Sequence, residues 1–320
     1  MPDIVLQTYR IKHNIDVSEE LIKAKRIANW IIKNRFKGMS SSHIKHFGLK
    51  SAMSKQLIRQ YNEKNHRCKK IFRVKLTISG CEVKVDKQKK EIWCSALKLR
   101  LPYQFDNSFL KLHQIQLDDT YCYVTVSYPT PDLLKPKMNL GVDLNTSGHC
   151  AVAALSNGKV MKLGKKAFHI RMKYRNLRTK LQKKGLLKVV KKINHKESRI
   201  MRDLNHKMSR KIVDVAKAND CTIKMENLKG ARSRMKSTDK RIKYALNSWT
   251  YAQLRFFIEY KAKKLGVPVA FVNPAYTSKT CSRCGKLGKR NKKKFKCRCG
   301  YAEHADVNAA FNIAASMNFS

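Results

Sequence analysis

Apolar and polar residues alternate weakly over 4–12 (IVLQTYRIK), and a period of two predicts a strand. Over 17–35 the period lengthens. Leu21, Ala24, Ala28, Ile31 and Ile32 form one apolar stripe, which predicts a helix with Ser18 as its cap. The stretch SSSHIKHFGLKSAMSKQLIRQY predicts a short helix, a turn at Gly48 and a second helix capped by Ser51. A packed helical hairpin is preferred over a helix-turn-helix there. From 70 to 130 the pattern becomes short β-rich runs separated by turn residues: KIFRVKLTI, CEVKVD, EIWCSALKLRL, FLKLHQIQL and YCYVTVSYP. These predict a small antiparallel barrel or sandwich, completed by the first strand. The segment PDLLKPK (131–137) reads as a linker.

Beyond it, NLGVDLN, HCAVAAL and KVMKLG predict three strands in hairpin succession. A long helical stretch over 167–219, broken near Gly185, leads to a fourth strand, TIKMENL (222–228). Residues 229–246 are basic and poor in apolar residues, and read as a mobile loop. A helix over 247–265, capped by Asn247 or Ser248 and stopped at Gly266, precedes a fifth strand, VPVAFV. A final helix, DVNAAFNIAASM, follows a cluster of cysteines. Three hairpin strands, helix, strand, helix, strand is the RNase H order of elements.

Charge narrows the function. Lys plus Arg total 70 against 22 Asp plus Glu among 320 residues, a formal net charge of +48. A chain so charged repels itself unless a polyanion neutralises it, and the charge is spread along the whole length. Nucleic acid is therefore the expected partner, ahead of an anionic membrane or a ribosomal role. With 42% hydrophobic residues a true core is expected. No apolar run approaches the length of a membrane span, and MPDIVLQTYRIKH lacks the apolar region of a signal peptide.

Three acids stand out in a chain so poor in them. Asp143 interrupts an apolar strand, Glu226 ends another, and Asp306 opens an apolar helix. Taken singly each acid is ambiguous, with a turn residue the alternative for Asp143, a surface strand-end acid for Glu226 and a helix N-cap for Asp306. Taken together they read differently. In an RNase H topology the first and fourth strands are neighbours, so their carboxylates face one another and the last helix adds the third. Three converging acids repel unless cations sit between them. Two Mg²⁺ ions about 4 Å apart would activate a water for in-line attack on phosphorus and stabilise the leaving oxygen.

Cys281 and Cys284 form C-x-x-C, and Cys297 and Cys299 form C-x-C before Gly300. Paired cysteines on two knuckles fit a four-thiolate structural zinc site, closed and without catalytic work. The shorter second knuckle leaves its geometry open, with His304 as an alternative ligand or a bystander. The other six cysteines, Cys68, Cys81, Cys94, Cys122, Cys150 and Cys221, are scattered singly, which fits an intracellular chain better than a disulfide framework. Residues 165–211 carry 18 Lys or Arg against Glu197 and Asp203 alone. That imbalance predicts a nucleic-acid backbone track along Arg171, Lys173, Arg175, Arg178, Lys180, Lys183, Lys184, Lys191 and Lys192. Tyr174, Tyr244 and Trp249 are candidates for base stacking, with helix packing the alternative for Trp249.

The segments GVDLNTSG, NHKMSRKIVDVAKANDCTIKMENLKG, NSWTYAQLRFFIEYKAKKLGVPVAFVNPAYTSKTCSRCG and FKCRCGYAEHADVNAAFNIA resemble the transposon-encoded TnpB nucleases, relatives of compact type V CRISPR effectors and Fanzor proteins. The resemblance is specific from about 139 to 317 and looser before that. It implies an α/β plus β architecture. An RNase H-like (RuvC) nuclease domain would span 136–320 with a zinc-ribbon insertion over 275–303. A wedge-like β-barrel over 1–16 and 69–135 would be interrupted by a short helical recognition lobe over 17–68. The family's catalytic acids map onto Asp143, Glu226 and Asp306, and its zinc cysteines onto Cys281, Cys284, Cys297 and Cys299. The implied function is RNA-guided DNA cleavage. A guide RNA would pair with double-stranded target DNA, and the protein, as monomer or homodimer, would read a short flanking motif. The implied place is cytoplasmic and nucleoid-associated, or nuclear in a eukaryote. The competing readings are an RNA-guided repressor that does not cut and a guide-independent nuclease or transposase.

Overall fold

The computed structural model describes residues 4–62, 70–145, 148–227 and 251–317. Cys68, Tyr244, Trp249, the loop expected over 229–246 and the caps expected at Asn247 or Ser248 lie outside them. The chain divides into two compact units, Met1–Thr130 and Pro131–Ser320. None of the described helices is long and apolar enough to cross a membrane.

In the first unit, β1 (Ile4–Lys12) is followed by α1 (Ser18–Lys33), a 3-10 helix (Ser41–Phe47) and α2 (Ser51–Tyr61). The apolar stripe of α1 is buried at Ala24, Ile27, Ala28 and Ile31, and α2 buries Met53 and Leu57 in the same core. The helices are therefore packed together as a hairpin, turning at Gly48 with φ +70°. Neither expected cap acts. Val17 and Lys50 occupy the cap positions, and Asp16 accepts the Ser18 backbone N–H instead (2.9 Å).

The strands of this unit are β2 (Leu76–Ser79), β3 (Lys84–Asp86), β4 (Glu91–Cys94), β5 (Leu99–Pro102), β6 (Lys111–Leu117) and β7 (Tyr121–Pro129). The expected barrel does not close among the described residues. β1, β7, β6 and β2 form an open antiparallel sheet in that order, and β3, β4 and β5 form a separate one. The reason lies at the edges. β1 pairs along its whole length with β7 but buries none of its residues, so its far edge stays half wet. β2 is only four residues long before the chain turns into a 3-10 segment at Gly80–Glu82. The helical hairpin contributes Ile27, Ile31, Met53 and Leu57 to the core that Leu76, Ile78, Ile115 and Val124 of the sheet share. Burial is met by helices, and strand closure is not needed.

The second unit is a mixed sheet with helices on both faces. Its elements are β8 (Met138–Leu144), β9 (Ala151–Leu155), β10 (Val160–Leu163), α3 (Lys165–Lys183), α4 (Leu187–Ala218), β11 (Cys221–Glu226), α5 (Tyr251–Lys264) and β12 (Val269–Val272). A small three-stranded sheet, β13 (Lys289–Asn291), β14 (Lys294–Lys296) and β15 (Ala302–His304), runs directly into α6 (Ala305–Ala315). The large sheet has the order β10-β9-β8-β11-β12. β8, β9 and β10 are antiparallel, while β11 runs parallel to both β8 and β12. The helical stretch breaks at Gly185, whose φ of +68° suits glycine.

Strand alternation sorts the two faces. Leu140, Val142, Ile223 and Met225 point to the α4–α5 side, where they share a core with Ile212, Val213, Ile258 and Ala262. Val152 and Ala154 point the other way, against Val307 and Ala310 of α6. Gly141 also faces α6. A Cβ there would come within 2.1 Å of the Ala310 carbonyl oxygen and 2.4 Å of the Ala314 nitrogen.

Candidate metal and carboxylate centre

Asp143, two residues after Gly141 on β8, lies on the α6 face and is 9% exposed. β8 and β11 run in parallel register, with Val142 opposite Met225. One residue further along each strand come Asp143 and Glu226. Asp306 sits in the first turn of α6, 1% exposed. The N-cap of that helix is His304, whose Nδ1 accepts the Asp306 backbone N–H (3.3 Å). Asp306 is thus not the cap that its position suggests. It lies one turn position inside, where the helix N-terminus favours a negative charge.

The electrostatics are those of crowded acids. Burial, then the charge of Glu226 and to a smaller degree that of Asp306, push the Asp143 carboxyl up to about 7, against a hydrogen bond from Asn145. Burial also raises Glu226, while the Thr277 hydroxyl that donates to it and the Arg290 guanidinium pull it back. Two basic side chains reach Asp306. Lys293 Nζ donates to Oδ2 at 2.6 Å, and Arg290 stands 3.5 Å from Oδ1. Oδ1 itself is buried and accepts no hydrogen bond from the described residues. Carboxylate oxygens gathered so that Glu226 and Asp306 repel the charge on Asp143 are hard ligands of the kind that Mg²⁺ or Mn²⁺ takes. The donor chemistry therefore suits divalent cations, although among the described residues only the four cysteines have ligand atoms that all lie within 4.8 Å of one another, and Lys293 and Arg290 stand at Asp306.

The cysteines converge. Cys281 Sγ is 3.7 Å from Cys299 Sγ, Cys284 Sγ is 3.6 Å from Cys297 Sγ, and all four lie within 4.8 Å of one another. A tetrahedron with Zn–S bonds of 2.3 Å has S···S edges of about 3.8 Å, so the set fits zinc. Each knuckle closes on a glycine at positive φ, Gly285 (+73°) and Gly300 (+84°), donating back to Cys281 and Cys297. The short C-x-C spacing still brings Cys299 to Cys281, and His304 is used as a helix cap.

This small sheet is fastened to the acids. The Lys293 carbonyl accepts the Ala305 N–H (2.9 Å), so the β13–β14 turn lies beside the start of α6. Asn308 accepts from the Ser282 N–H and donates to the Thr280 carbonyl. Asn312 donates to the carbonyls of Thr277 and Thr280. At the far end, buried Lys224 of β11 donates to the carbonyls of Ala314 (3.2 Å) and Ser316 (2.8 Å), joining the Glu226 strand to the Asp306 helix. Gly141, Lys224, Arg290, Lys293, Asn308 and Asn312 escape sequence reasoning. Asn308 and Asn312 left a signal: two amides one turn apart in an Ala-rich helix, facing one loop.

The basic track divides on inspection. Lys173, Lys180, Lys183, Lys184, Lys191 and Lys192 are exposed. Arg171 is buried at 4% exposure, Arg175 is half-buried, and Arg178 pairs with Glu197 and Asn194 to join α3 to α4. Tyr174 is half-buried on α3.

Comparison with known proteins bears on this arrangement. Residues 251–313 match the family described as "Cas12f1-like, TNB domain". The TnpB-like protein MJ0751 of Methanocaldococcus jannaschii is 35% identical over 144 residues, 42% of this chain and 52% of that protein. The TnpB-like protein aq_aa05 of Aquifex aeolicus is 30% identical over 231 residues, 61% of this chain and 72% of that protein. The CRISPR-associated endodeoxyribonuclease Cas12f1 of Sulfoacidibacillus thermotolerans is 43% identical over 111 residues, 33% of this chain and 25% of that protein. The matched region thus spans about half of MJ0751 and a quarter of this Cas12f1. In shape the chain resembles a Cas12f1 chain from a cryo-EM structure of the Cas12f1–sgRNA–target DNA complex. The TM-score is 0.60 at 17% identity, covering 94% of this chain and 82% of that one.

Proposed function

This chain belongs to the TnpB family, related to the Cas12f nucleases, and on that footing we propose that it is an RNA-guided DNA endonuclease with a RuvC-type site. Asp143, Glu226 and Asp306 would hold two Mg²⁺ ions, and Cys281, Cys284, Cys297 and Cys299 a structural Zn²⁺. The observation that carries the reading is the shared placement of the three acids on one face of the sheet, electrostatically coupled and next to a four-thiolate knuckle. The names of relatives, one of them seen with guide RNA and target DNA, support the guided part.

When bound, divalent cations would supply Lewis-acid activation of water and stabilisation of the leaving 3′-oxygen. The chain's own residues do the rest. Asn145 donates to Asp143, the Thr277 hydroxyl donates to Glu226, and the His304 cap fixes the first turn of α6, from which Asp306 would complete the set. Burial keeps bulk water from screening these charges. The exposed lysines of α3 and α4 would neutralise phosphates of bound nucleic acid. Four thiolates leave the zinc no open position, so its part is to hold the β13–β15 sheet against α6.

The test is co-expression with the native flanking DNA. A discrete RNA should copurify, and the complex should cut a library with randomised flanks only with Mg²⁺. Absence of a discrete RNA would overturn the guided reading. Undiminished cleavage by Asp143→Ala would overturn the site assignment.

A further inference from the structure

The sheet face opposite the carboxylates has a concave surface of its own. α4 and α5 pack against each other and leave a groove of about 720 Å³, lined by Lys207, Arg210, Lys211, Tyr260, Lys261 and Lys264 among others. Among the described residues of that lining five cations meet a single acid, Asp214. It stands 3.9 Å from Arg210, and Lys207 is 2.8 Å from Asp203. Both are exposed pairs one helical turn apart, which do little to cancel a field.

The floor is built around Lys261. It is 9% exposed, and its ammonium is fixed by the His206 carbonyl (2.6 Å) and the Ser209 hydroxyl (2.7 Å). Among the described residues no carboxylate lies within ion-pair distance of it. A buried ammonium whose nearest acid stands beyond ion-pair distance is unfavourable. Burial and the Arg210 guanidinium draw both Lys261 and Lys264 below the usual ammonium range, with Asp214 opposing the shift at Lys261. An anion seated in the groove would relieve all of this at once. The rim adds aromatic surface. The His206 ring stacks on Phe257 at 3.8 Å, and the Tyr260 hydroxyl comes within 3.4 Å of His206 Nδ1. Phe256, 60% exposed, lies 5.6 Å from the Tyr260 ring. Cations beside exposed rings suit a nucleotide chain better than a simple anion, because phosphates and bases are both met.

We propose that the α4–α5 groove binds the sugar–phosphate backbone of RNA, with Tyr260 and Phe256 as stacking surfaces for its bases. The proposal rests on the RNA-guided reading above. The choice of RNA follows from position. A DNA strand to be cut must reach Asp143, Glu226 and Asp306 on the other face of the sheet, whereas a guide-bearing RNA need not.

The test uses the full chain freed of nucleic acid, a fluorescein-labelled 20-mer poly(U) RNA, and an oligo(dT) of the same length, each titrated over a range of salt. The groove variant is Lys207→Gln, Lys211→Gln, Lys264→Gln. The control, Lys84→Gln, Lys89→Gln, Lys90→Gln, removes the same charge from the exposed β3–β4 hairpin. All six side chains are exposed, so both variants should melt with the wild type. The groove variant should bind RNA about tenfold more weakly at physiological salt. Its slope of log K against log salt should fall by about 2, since each single-strand phosphate contact contributes about 0.7. The control should keep the wild-type slope. Tyr260→Ala should weaken RNA binding severalfold with the slope unchanged, the mark of lost stacking. A groove variant that matches the control overturns the proposal, and a deficit confined to DNA overturns the choice of RNA. If the wild type purifies without RNA and does not prefer the RNA probe, the guided reading fails and this one with it. If the wild type prefers RNA and the groove variant binds it as tightly as the wild type does, the groove assignment fails and the guided reading stands.

Discussion

Gly141 of β8 lies directly under the carbonyl of Ala310 in α6, so close that a Cβ would stand 2.1 Å from that oxygen. The contact is backbone against strand, and no flexible side chain can yield. Gly141→Ala must push α6 away from the sheet, and α6 carries Asp306 while β8 carries Asp143. Overpacking of this kind costs about 1–3 kcal/mol. The expected outcome is a loss of that size in unfolding free energy, read from a lower urea midpoint at an unchanged m-value, with Mg²⁺-dependent cleavage reduced at least about tenfold. Wild-type stability and rate in Gly141→Ala would show that the helix position does not matter.

That contact also marks where sequence reasoning stops. Local periodicity carries the strands around Asp143 and Glu226, the helical break at Gly185 and the two knuckles, because each is set by residues within a turn or two of one another. The zinc spacing carries chemistry by itself, and even the C-x-C knuckle closes. What fails depends on distant partners. β2 is four residues of a longer β-rich run because the chain turns into a 3-10 segment at Gly80, where only a glycine fits against the Leu112 carbonyl. The barrel stays open because α1 and α2 share its core. Asp306 yields its capping role to His304, a choice made by the approach of β15 and invisible in the helix alone. Lys224 goes unnoticed in its strand, because its partners are the carbonyls at the end of α6, far along the chain.

Glu197 is the one buried acid of the long basic helices, and it pairs with Arg178 across the α3–α4 hairpin. Removing one partner of a buried pair costs more than the pair contributes, because the other charge stays in place. Asn194 still accepts from Arg178, which tempers the loss. Glu197→Gln should therefore destabilise by about 3 kcal/mol. Amide exchange should quicken in α3 and the first half of α4, with β8 and β11 unchanged. Uniform quickening would place the pair's role elsewhere.

Zinc removal should act locally and then reach the acids. The β13–β15 sheet has a small core, Phe295 with Cys281 and Ala305, so metal supplies much of its folding free energy. Elemental analysis should find one zinc per chain, and Cys299→Ser should lower that occupancy. Treatment with a strong chelator should expose the 281–304 amides to exchange while the five-stranded sheet stays protected. Cleavage should fall with them, because the turn that holds Lys293 also holds the start of α6. Retained amide protection without zinc would refute the structural assignment.

The Asp143 carboxyl, pushed up to about 7, makes stability depend on pH in a definite direction. In the unfolded chain the group ionises near 3.9. Below that value both states hold the proton and nothing is lost. Between about 4 and 7 the unfolded state gives up its proton while the folded state keeps it. Stability therefore falls as pH rises, by up to about 1.4 kcal/mol per unit, and the full cost persists above 7. Asp143→Asn has no proton to lose. Denaturation of the metal-free chain at pH 4.5, 6 and 7.5 should show the variant gaining on the wild type across that range. Divalent cations require the ionised carboxyl, so Mg²⁺ should raise the wild-type melting temperature more at pH 8 than at pH 5, and that of Asp143→Asn little at either. A wild-type minus variant difference that is flat in pH would remove Asp143 from the crowded cluster and, with it, the electrostatic case for cations at that face.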